Sequence, residues 1–361
     1  MRGEAHVKQI RICLTPRVSG VGGMVSFRNK MSLSLAQRGI NTGDALGDAA
    51  VDSVLVIGGT RQLGALWRAR RRGSRIVQRL NGMNWLHRVR KTGARHFLRA
   101  EYGNLILRLI RDYLADKVVY QSDFARCWWE QTYGETRVPS SVIYNGVDLN
   151  LFRPGRLQTL PEDCIRVLLV EGSIRGGYEL GLDHALGLAL ELVQMLDNAH
   201  SHYRGSKVEI MVVGYVGKEL KMAVQSELLK SHPTSMIALN WVGVVNSEQI
   251  AQIDRSAHLF YAADINAACP NSVIEALACG TPVVAYDTGA LPELVAAGAG
   301  RVTPYGGDPW KLDEPDAHAL GRAALEVLLH RESFSRAARD RAERIFGLDK
   351  MVDEYLDVLL G

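Results

Sequence analysis

The chain has 361 residues, of which 47% are hydrophobic and 23% charged, and its formal net charge is +4. That composition excludes a disordered chain and a small disulfide scaffold, and the 35 glycines follow no triplet period, which excludes a collagen-like repeat. At about 100–200 residues per domain, the length predicts two domains.

In chain order, a strand at 10–14 leads to a helix at 24–38, strands at 53–57 and 75–78, and a helix at 92–115. A strand at 117–120, a helix at 123–133 and a strand at 141–144 follow. The stretch 145–160 carries Asn-Gly, Arg-Pro-Gly and Leu-Pro turn signals and reads as a linker. Beyond it come strands at 165–170, 207–213, 237–241, 259–262 and 282–285. Helices at 182–199, 219–229, 247–256, 272–279, 291–297 and 317–329 are interleaved with or follow them, and the tail 334–361 is helical and highly charged. Short strands rich in Val, Ile and Leu, alternating with helices, indicate parallel sheets covered on both faces, hence an α/β fold. Residues 1–150 and 151–335 are expected to form two Rossmann-like domains facing across a cleft, with the tail 336–361 crossing back to the first.

The five cysteines (Cys13, Cys127, Cys164, Cys269 and Cys279) include no CxxC pair and no zinc spacing. A reduced, cytoplasmic compartment and no metal are expected. No signal peptide and no run of 18 apolar residues is present, so the expectation is a cytoplasmic protein, with peripheral attachment to the inner face of the cytoplasmic membrane left open.

Two segments suit an anionic ligand. The run Ser19-Gly-Val-Gly-Gly-Met24 joins the first strand to the first helix. Gly20, Gly22 and Gly23 would let a phosphate approach the helix N-terminus, although a plain turn has the same composition. The second run is Ala268-Cys-Pro-Asn-Ser-Val-Ile-Glu-Ala-Leu-Ala-Cys-Gly-Thr-Pro-Val-Val-Ala285. Pro270 precedes a short helix that Asn271 or Ser272 would cap and Gly280 would end. Its N-terminus suits a diphosphate. Glu275, placed in the first turn, would either accept two hydroxyls of a ribose or only complement the helix dipole.

This second segment, with Tyr286-Asp-Thr-Gly-Ala-Leu-Pro-Glu-Leu-Val295, resembles the donor site of retaining glycosyltransferases of the GT-B fold, glycosyltransferase family 4. The run Val142-Ile-Tyr-Asn-Gly-Val-Asp-Leu-Asn-Leu-Phe-Arg-Pro154 resembles that family's interdomain linker. Tyr120-Gln-Ser122, Gly20–Gly23 and Trp241-Val-Gly243 match further motifs in the same order. The resemblance implies a nucleoside diphosphate sugar as donor, retention of configuration and no essential metal or cofactor. It assigns the donor to Gly172, Ser173, Arg175, Pro270, Asn271, Ser272 and Glu275. The first domain would hold the acceptor or phosphate through Gly20, Gly22, Gly23, Arg79 and His87, with Asn81 and Arg175 as catalytic candidates. A glycan, polysaccharide or lipid-linked molecule is the implied acceptor.

The chain departs from the family pattern at three places. The first glutamate of the motif pair falls on Ala267, with Asp264 and Asn266 nearby but out of register. The Arg and Lys that clamp the diphosphate fall on Ser173 and Leu180, which leaves Arg175. The family's histidine falls near Asn81, six residues before His87. A distinct subfamily with a relocated clamp, an unusual donor and a chain that binds without turnover are the competing explanations, and a GT-B-like nucleotide-sugar epimerase is the alternative activity.

Between Ser53 and Ala100 the sequence has no acidic residue and twelve basic ones. Trp67, Trp85, Leu86 and Phe97 are interleaved, so the block from Arg68 to Arg99 is expected to meet an anionic membrane surface or an acidic acceptor. A solvated basic face is the plainer reading; nucleic acid is not expected, because no nucleic-acid motif accompanies the charge. Trp128 and Trp129 read mainly as packing residues.

Overall fold

A computed structural model describes residues 10–20, 22–44, 46, 51–155, 160–174, 179–198, 201–231 and 236–361. The elements run β1 (Arg11–Thr15), α1 (Gly23–Gln37), β2 (Asn41–Gly43), β3 (Ser53–Ile57), α2 (Leu63–Arg71), β4 (Arg75–Leu80) and α3 (Leu86–Val89). Next are α4 (Ala94–Leu109), a π-helical turn (Ile110–Leu114), β5 (Lys117–Tyr120), α5 (Asp123–Tyr133) and β6 (Ser140–Val142). Then come β7 (Cys164–Ile174), α6 (Leu180–Asn198), β8 (Lys207–Val216), α7 (Lys218–Ser231), β9 (Ile237–Gly243), α8 (Ser247–Arg255) and β10 (Leu259–Ala262). The chain finishes with α9 (Asn271–Ala278), β11 (Val283–Tyr286), α10 (Leu291–Leu294), β12 (Gly300–Thr303), α11 (Ala317–Leu329), α12 (Arg331–Ile345) and α13 (Leu348–Leu360).

Two compact units result. Unit 1 comprises 1–85, 93–146 and 348–361; unit 2 comprises 86–92 and 147–347. The division falls at Gly146, four residues ahead of the expected boundary, and the segment 336–361 is not one element. Most of α12 lies within it yet belongs to unit 2, whereas α13 belongs to unit 1.

Each unit is a six-stranded sheet whose strand pairs are all parallel, ordered β2-β1-β3-β4-β5-β6 in unit 1 and β12-β11-β10-β7-β8-β9 in unit 2. The central strands are buried on both faces, as in β3, where all five residues of SVLVI are buried. Strand order reverses at β1/β3 in unit 1 and at β7/β10 in unit 2. Crevices at the carboxyl ends of such strand pairs are where open α/β sheets bind ligands.

In unit 1, α13 presents Met351, Val352, Tyr355 and Leu359 to the core beside Phe27 and Leu35 of α1. This one-sided apolar spacing makes the helix part of the sheet's cover. Tyr355 packs on Phe27 with ring centroids 5.2 Å apart, and Ser53 donates to the Leu359 carbonyl at 2.6 Å.

In unit 2, α12 buries Phe334, Ala338 and Ala342. From it Arg339 donates to the carbonyls of Ala278 (2.7 Å) and Phe152 (2.8 Å), which places a cation at the C-terminus of α9. A cation there opposes the negative end of the helix dipole and satisfies an orphan carbonyl.

The predicted helix at 92–115 is two pieces. Gly93, at φ +83°, starts α4, and the last turn widens into the π-helical turn. The edge strands β2 and β12 and the helix α2 were not predicted from the sequence.

Candidate functional site

The crevice of unit 1 is lined by several predicted residues. Gly20 (φ +96°) and Gly22 (φ +141°) adopt backbone conformations open to glycine, and a Cβ on either would meet open space. Gly22 is the N-cap of α1, which has no side-chain cap and no acidic residue in its first turn. Arg79, near the end of β4, is buried with its guanidinium 3.9 Å over the Phe27 ring, one turn into α1. It donates to the Asn145 side-chain oxygen at 2.7 Å and to that of Asn81 at 3.4 Å. Asn81 is held in turn by Trp129, whose indole N–H donates to its carbonyl at 2.7 Å. Arg79, Asn81 and the start of α1 are thus together, and Asn145 joins them.

Two expectations about this region change. His87 is buried on α3, in the segment 86–92 that groups with unit 2, whereas the residues expected beside it belong to unit 1. The basic block is not one face either, because Arg79 is buried and Arg70 pairs with Asp116 at 2.9 Å. Arg90 pairs with Glu179 at 3.7 Å, within unit 2. Arg175 lies outside the described residues.

In unit 2 the loop after β10 leads into α9 at the reversal of strand order. The N-cap is Pro270, not Asn271 or Ser272, and no side chain caps the helix. The first N–H groups of a helix have no intrahelical partner, so Asn271, Ser272 and Val273 present donors to an anion. Pro270, Asn271 and Ser272 are half-buried around them. The first turn of α9 has no acidic residue: Glu275 stands in the second turn and is half-buried. There it is too far along to complement the helix N-terminus, which falls off within a turn.

The C-terminal half of α9 is fixed by packing: Ala276, Leu277 and Ala278 are buried, and Thr281 donates to the Asp254 carbonyl at 2.6 Å. Asp254, at the end of α8, is fully buried, and neither carboxyl oxygen has a hydrogen-bond partner among the described residues. Burial, reinforced by the field of Glu275, holds this carboxyl protonated well above the usual carboxylate range. Single-sequence reading missed Asp254, because nothing in its neighbourhood signals that the end of α8 is interior.

The loop itself is tightly placed. Gly289, at φ +59°, lies against it, and a Cβ there would fall 2.5 Å from the Ala267 nitrogen. Ala290 donates to the Ala267 carbonyl at 2.8 Å. Gly172 is exposed and Ser173 half-buried at the end of β7, with the Ser173 hydroxyl lacking a partner among the described residues. Among those residues no group of three or more His, Cys, Asp or Glu is arranged to hold a metal, and no helix is long and apolar enough to cross a membrane.

Residues 185–330 match the family described as glycosyl transferases group 1. Among curated proteins, the D-inositol 3-phosphate glycosyltransferase of Thermobifida fusca is 28% identical over 208 residues, 54% of this chain and 45% of that protein. The chain spans about half the length of the curated relatives it matches. Among solved structures, sucrose-phosphate synthase from Thermosynechococcus elongatus has a TM-score of 0.71 at 15% identity, covering 97% of this chain and 98% of that one. Anabaena Alr3699/HepE in complex with UDP and glucose has a TM-score of 0.67 at 15% identity, covering 97% and 99%. The fold is therefore that of the GT-B glycosyltransferases, two Rossmann-like units in one chain.

Proposed function

We propose that the protein is a retaining glycosyltransferase of family 4 type that moves a hexose from a nucleoside diphosphate sugar to a glycan, polysaccharide or lipid-linked acceptor. The observation that carries this reading is α9: an uncapped helix start at the strand-order reversal, with Glu275 one turn further on. The diphosphate docks on the N–H groups of Asn271 and Ser272, and Glu275 accepts the ribose hydroxyls. Gly172 and Ser173 complete the donor side, and Arg175 extends it. Unit 1 takes the acceptor through Gly20, Gly22, Gly23 and Arg79, with Asn81 beside them. The relatives named for an inositol 3-phosphate acceptor, and the neighbour bound to UDP and glucose, agree in kind with such an assignment.

In the reaction, the bond from the anomeric carbon to the diphosphate oxygen breaks on the face where the acceptor hydroxyl bonds. The hydroxyl proton passes to the departing phosphate oxygen. Charge grows on the diphosphate, and preorganised donors at α9 stabilise it. No protein nucleophile or metal is needed.

The pattern at Ala267, Ser173 and Leu180 favours one second reading, a nucleotide-sugar-binding protein without turnover. Incubation with UDP-glucose, GDP-mannose and ADP-glucose, with and without glycan or lipid acceptors, separates the two. Transfer with retained configuration supports the proposal; binding without transfer or hydrolysis supports the second reading, and donor epimerisation overturns both.

The acceptor side also suits an anionic membrane. Every residue from Gly93 to Arg99 is exposed, and Phe97, Leu98, Tyr102 and Leu105 form an apolar face on α4 flanked by Arg95 and Arg99. On α2, exposed Trp67 lies under Arg71 at 4.5 Å. Basic residues with apolar anchors bind the headgroup region, each cation adding about 1 kcal/mol near anionic lipid. Flotation with phosphatidylglycerol vesicles is expected to carry the protein up, and Leu98→Asp with Arg99→Glu to lose most of it. Equal binding to pure phosphatidylcholine vesicles contradicts this, as does a variant that floats unchanged.

A further inference from the structure

Two carboxylates that the family resemblance does not assign stand close in sequence to its vacated positions, Glu171 two residues before Ser173 and Asp264 three before Ala267. Glu171 lies at the end of β7, inside a bulge: the β7–β8 register shifts between Val170 and Ser173. The bulge is matched by Gly214 on β8, at φ +126°, where a Cβ would fall 1.6 Å from the Glu171 carbonyl oxygen. Bulges of this kind re-aim a side chain beside a functional crevice. Asp264 follows the neighbouring strand β10, so the two acids flank the strand-order reversal of unit 2. Each feels this placement: burial and the Asp264 charge raise Glu171 well above its usual range, and burial pushes Asp264 up to about 6. Each carboxyl therefore keeps its proton more readily than a free one.

Other buried groups converge on the same edge of the sheet. The Tyr261 phenol, on β10, feels Tyr286, Tyr305 and Glu171 together. The Tyr286 hydroxyl and the Asn266 side-chain amide nitrogen have no hydrogen-bond partner among the described residues, although these residues are only 3% and 4% exposed. Asn266 is two residues past Asp264, at φ +56°, a left-handed conformation that asparagine tolerates better than most residues. A buried donor left unmade costs about 1–3 kcal/mol, so these groups point to a polar ligand. The ligand is not the diphosphate, which two carboxylates repel. It presents hydroxyls, each of which both donates and accepts, and a carboxyl–carboxylate pair offers one donor and several acceptors.

We propose that Glu171 and Asp264, with Asn266 and Tyr286, bind the hydroxyls of the donor's sugar ring, in place of the motif glutamate missing at Ala267. This rests on the nucleotide-sugar reading above and adds residues that the resemblance does not assign. It also divides the donor along the site. The diphosphate takes the α9 side and the sugar the β7/β10 side.

The test compares, by calorimetry in EDTA, UDP with UDP-glucose and GDP with GDP-mannose, on the wild type, Glu171→Gln and Asp264→Asn. In each variant the nucleotide sugar is expected to bind about tenfold or more weaker relative to its nucleoside diphosphate, the loss expected of a charge-assisted hydrogen bond. The nucleoside diphosphate itself binds as well as before or better, because a negative charge has gone. Tyr286→Phe, which keeps the packing, lowers the same ratio and guards against a folding defect in the acid variants. An unchanged ratio, or parallel loss of both ligands, overturns the inference while leaving the nucleotide-sugar reading in place. So does Mg2+-dependent UDP binding that the variants abolish, which would make the acids metal ligands. No binding of any probe to the wild type overturns the reading and the inference together.

Discussion

Glu275→Ala is expected to weaken nucleoside diphosphate binding about tenfold to a hundredfold without lowering the melting temperature. The magnitude follows from one or two hydrogen bonds to an ionised carboxylate, at about 1.5–3 kcal/mol, with about 1.4 kcal/mol per factor of ten. The absence of a stability loss follows from position. Glu275 is only half-buried, and the buried residues that fix the helix are Val273, Ile274, Ala276, Leu277 and Ala278. Calorimetric titration of UDP, GDP and ADP, paired with a thermal melt, checks both halves. Glu275→Gln keeps one acceptor and the side-chain shape, and is expected to fall between the wild type and alanine. If Glu275→Ala binds normally, or fails only because it unfolds, the ribose role is wrong.

The second large effect concerns Asp254 and pH. Its folded carboxyl is raised far above the unfolded value of 3.8, mainly by burial. Below about pH 4 the group is protonated in both states and its stabilising contribution is whole. As pH rises, unfolding releases a proton that the folded state keeps, so the folded state loses about 1.4 kcal/mol per pH unit until the buried acid itself ionises. Asp254→Asn removes this slope. The gain of the variant over the wild type should grow as pH rises above the unfolded carboxyl range, measured by urea unfolding at each pH. The comparison must be a difference, because half-buried His184 and buried His258, each lowered to about 4, give the opposite trend. Those imidazoles are neutral in the fold, and stability from them rises with pH up to the unfolded histidine range. Parallel stability curves for Asp254→Asn and the wild type would show that Asp254 does not titrate as its burial requires.

Much of the fold was readable because its strands are short buried runs with distinct ends. The strands at 53–57, 117–120 and 259–262 and the helices at 123–133 and 317–329 coincide with β3, β5, β10, α5 and α11. Two of the four edge strands, β2 and β12, were not readable. β2 is the polar triplet Asn-Thr-Gly, and β12 begins at Gly300, which is needed because a Cβ there would fall 1.9 Å from the Val283 carbonyl oxygen. Pairing across a sheet, not local pattern, makes both of them strands. α2 escaped notice because its Arg-rich run read as charge, although Leu63, Leu66 and Ala69 give it a helical stripe toward the core.

The candidate site divides along the same line. The α9 segment was legible because turn, helix and strand signals follow one another within a few residues. The cap and the position of Glu275 were off by a residue or more, since with Pro270 as the cap the helix starts at Asn271, earlier than an Asn or Ser cap would set it. Arg79 was counted into a surface charge block, whereas it is a buried residue stacked on Phe27. Burial of a polar side chain depends on contacts made by distant segments, and one sequence carries no local mark of it. The same holds for Asn145 and Asp254.

The central claim is that a nucleoside diphosphate binds unit 2 at the start of α9. Amide hydrogen exchange of the full chain, with and without saturating UDP or GDP, tests it most directly. The account predicts that exchange slows in the segment 268–275, at the N–H groups of Asn271, Ser272 and Val273 above all, because those donors pass from water to phosphate. Nucleotide binding that protects other segments and leaves 268–275 exchanging at its free rate would contradict it.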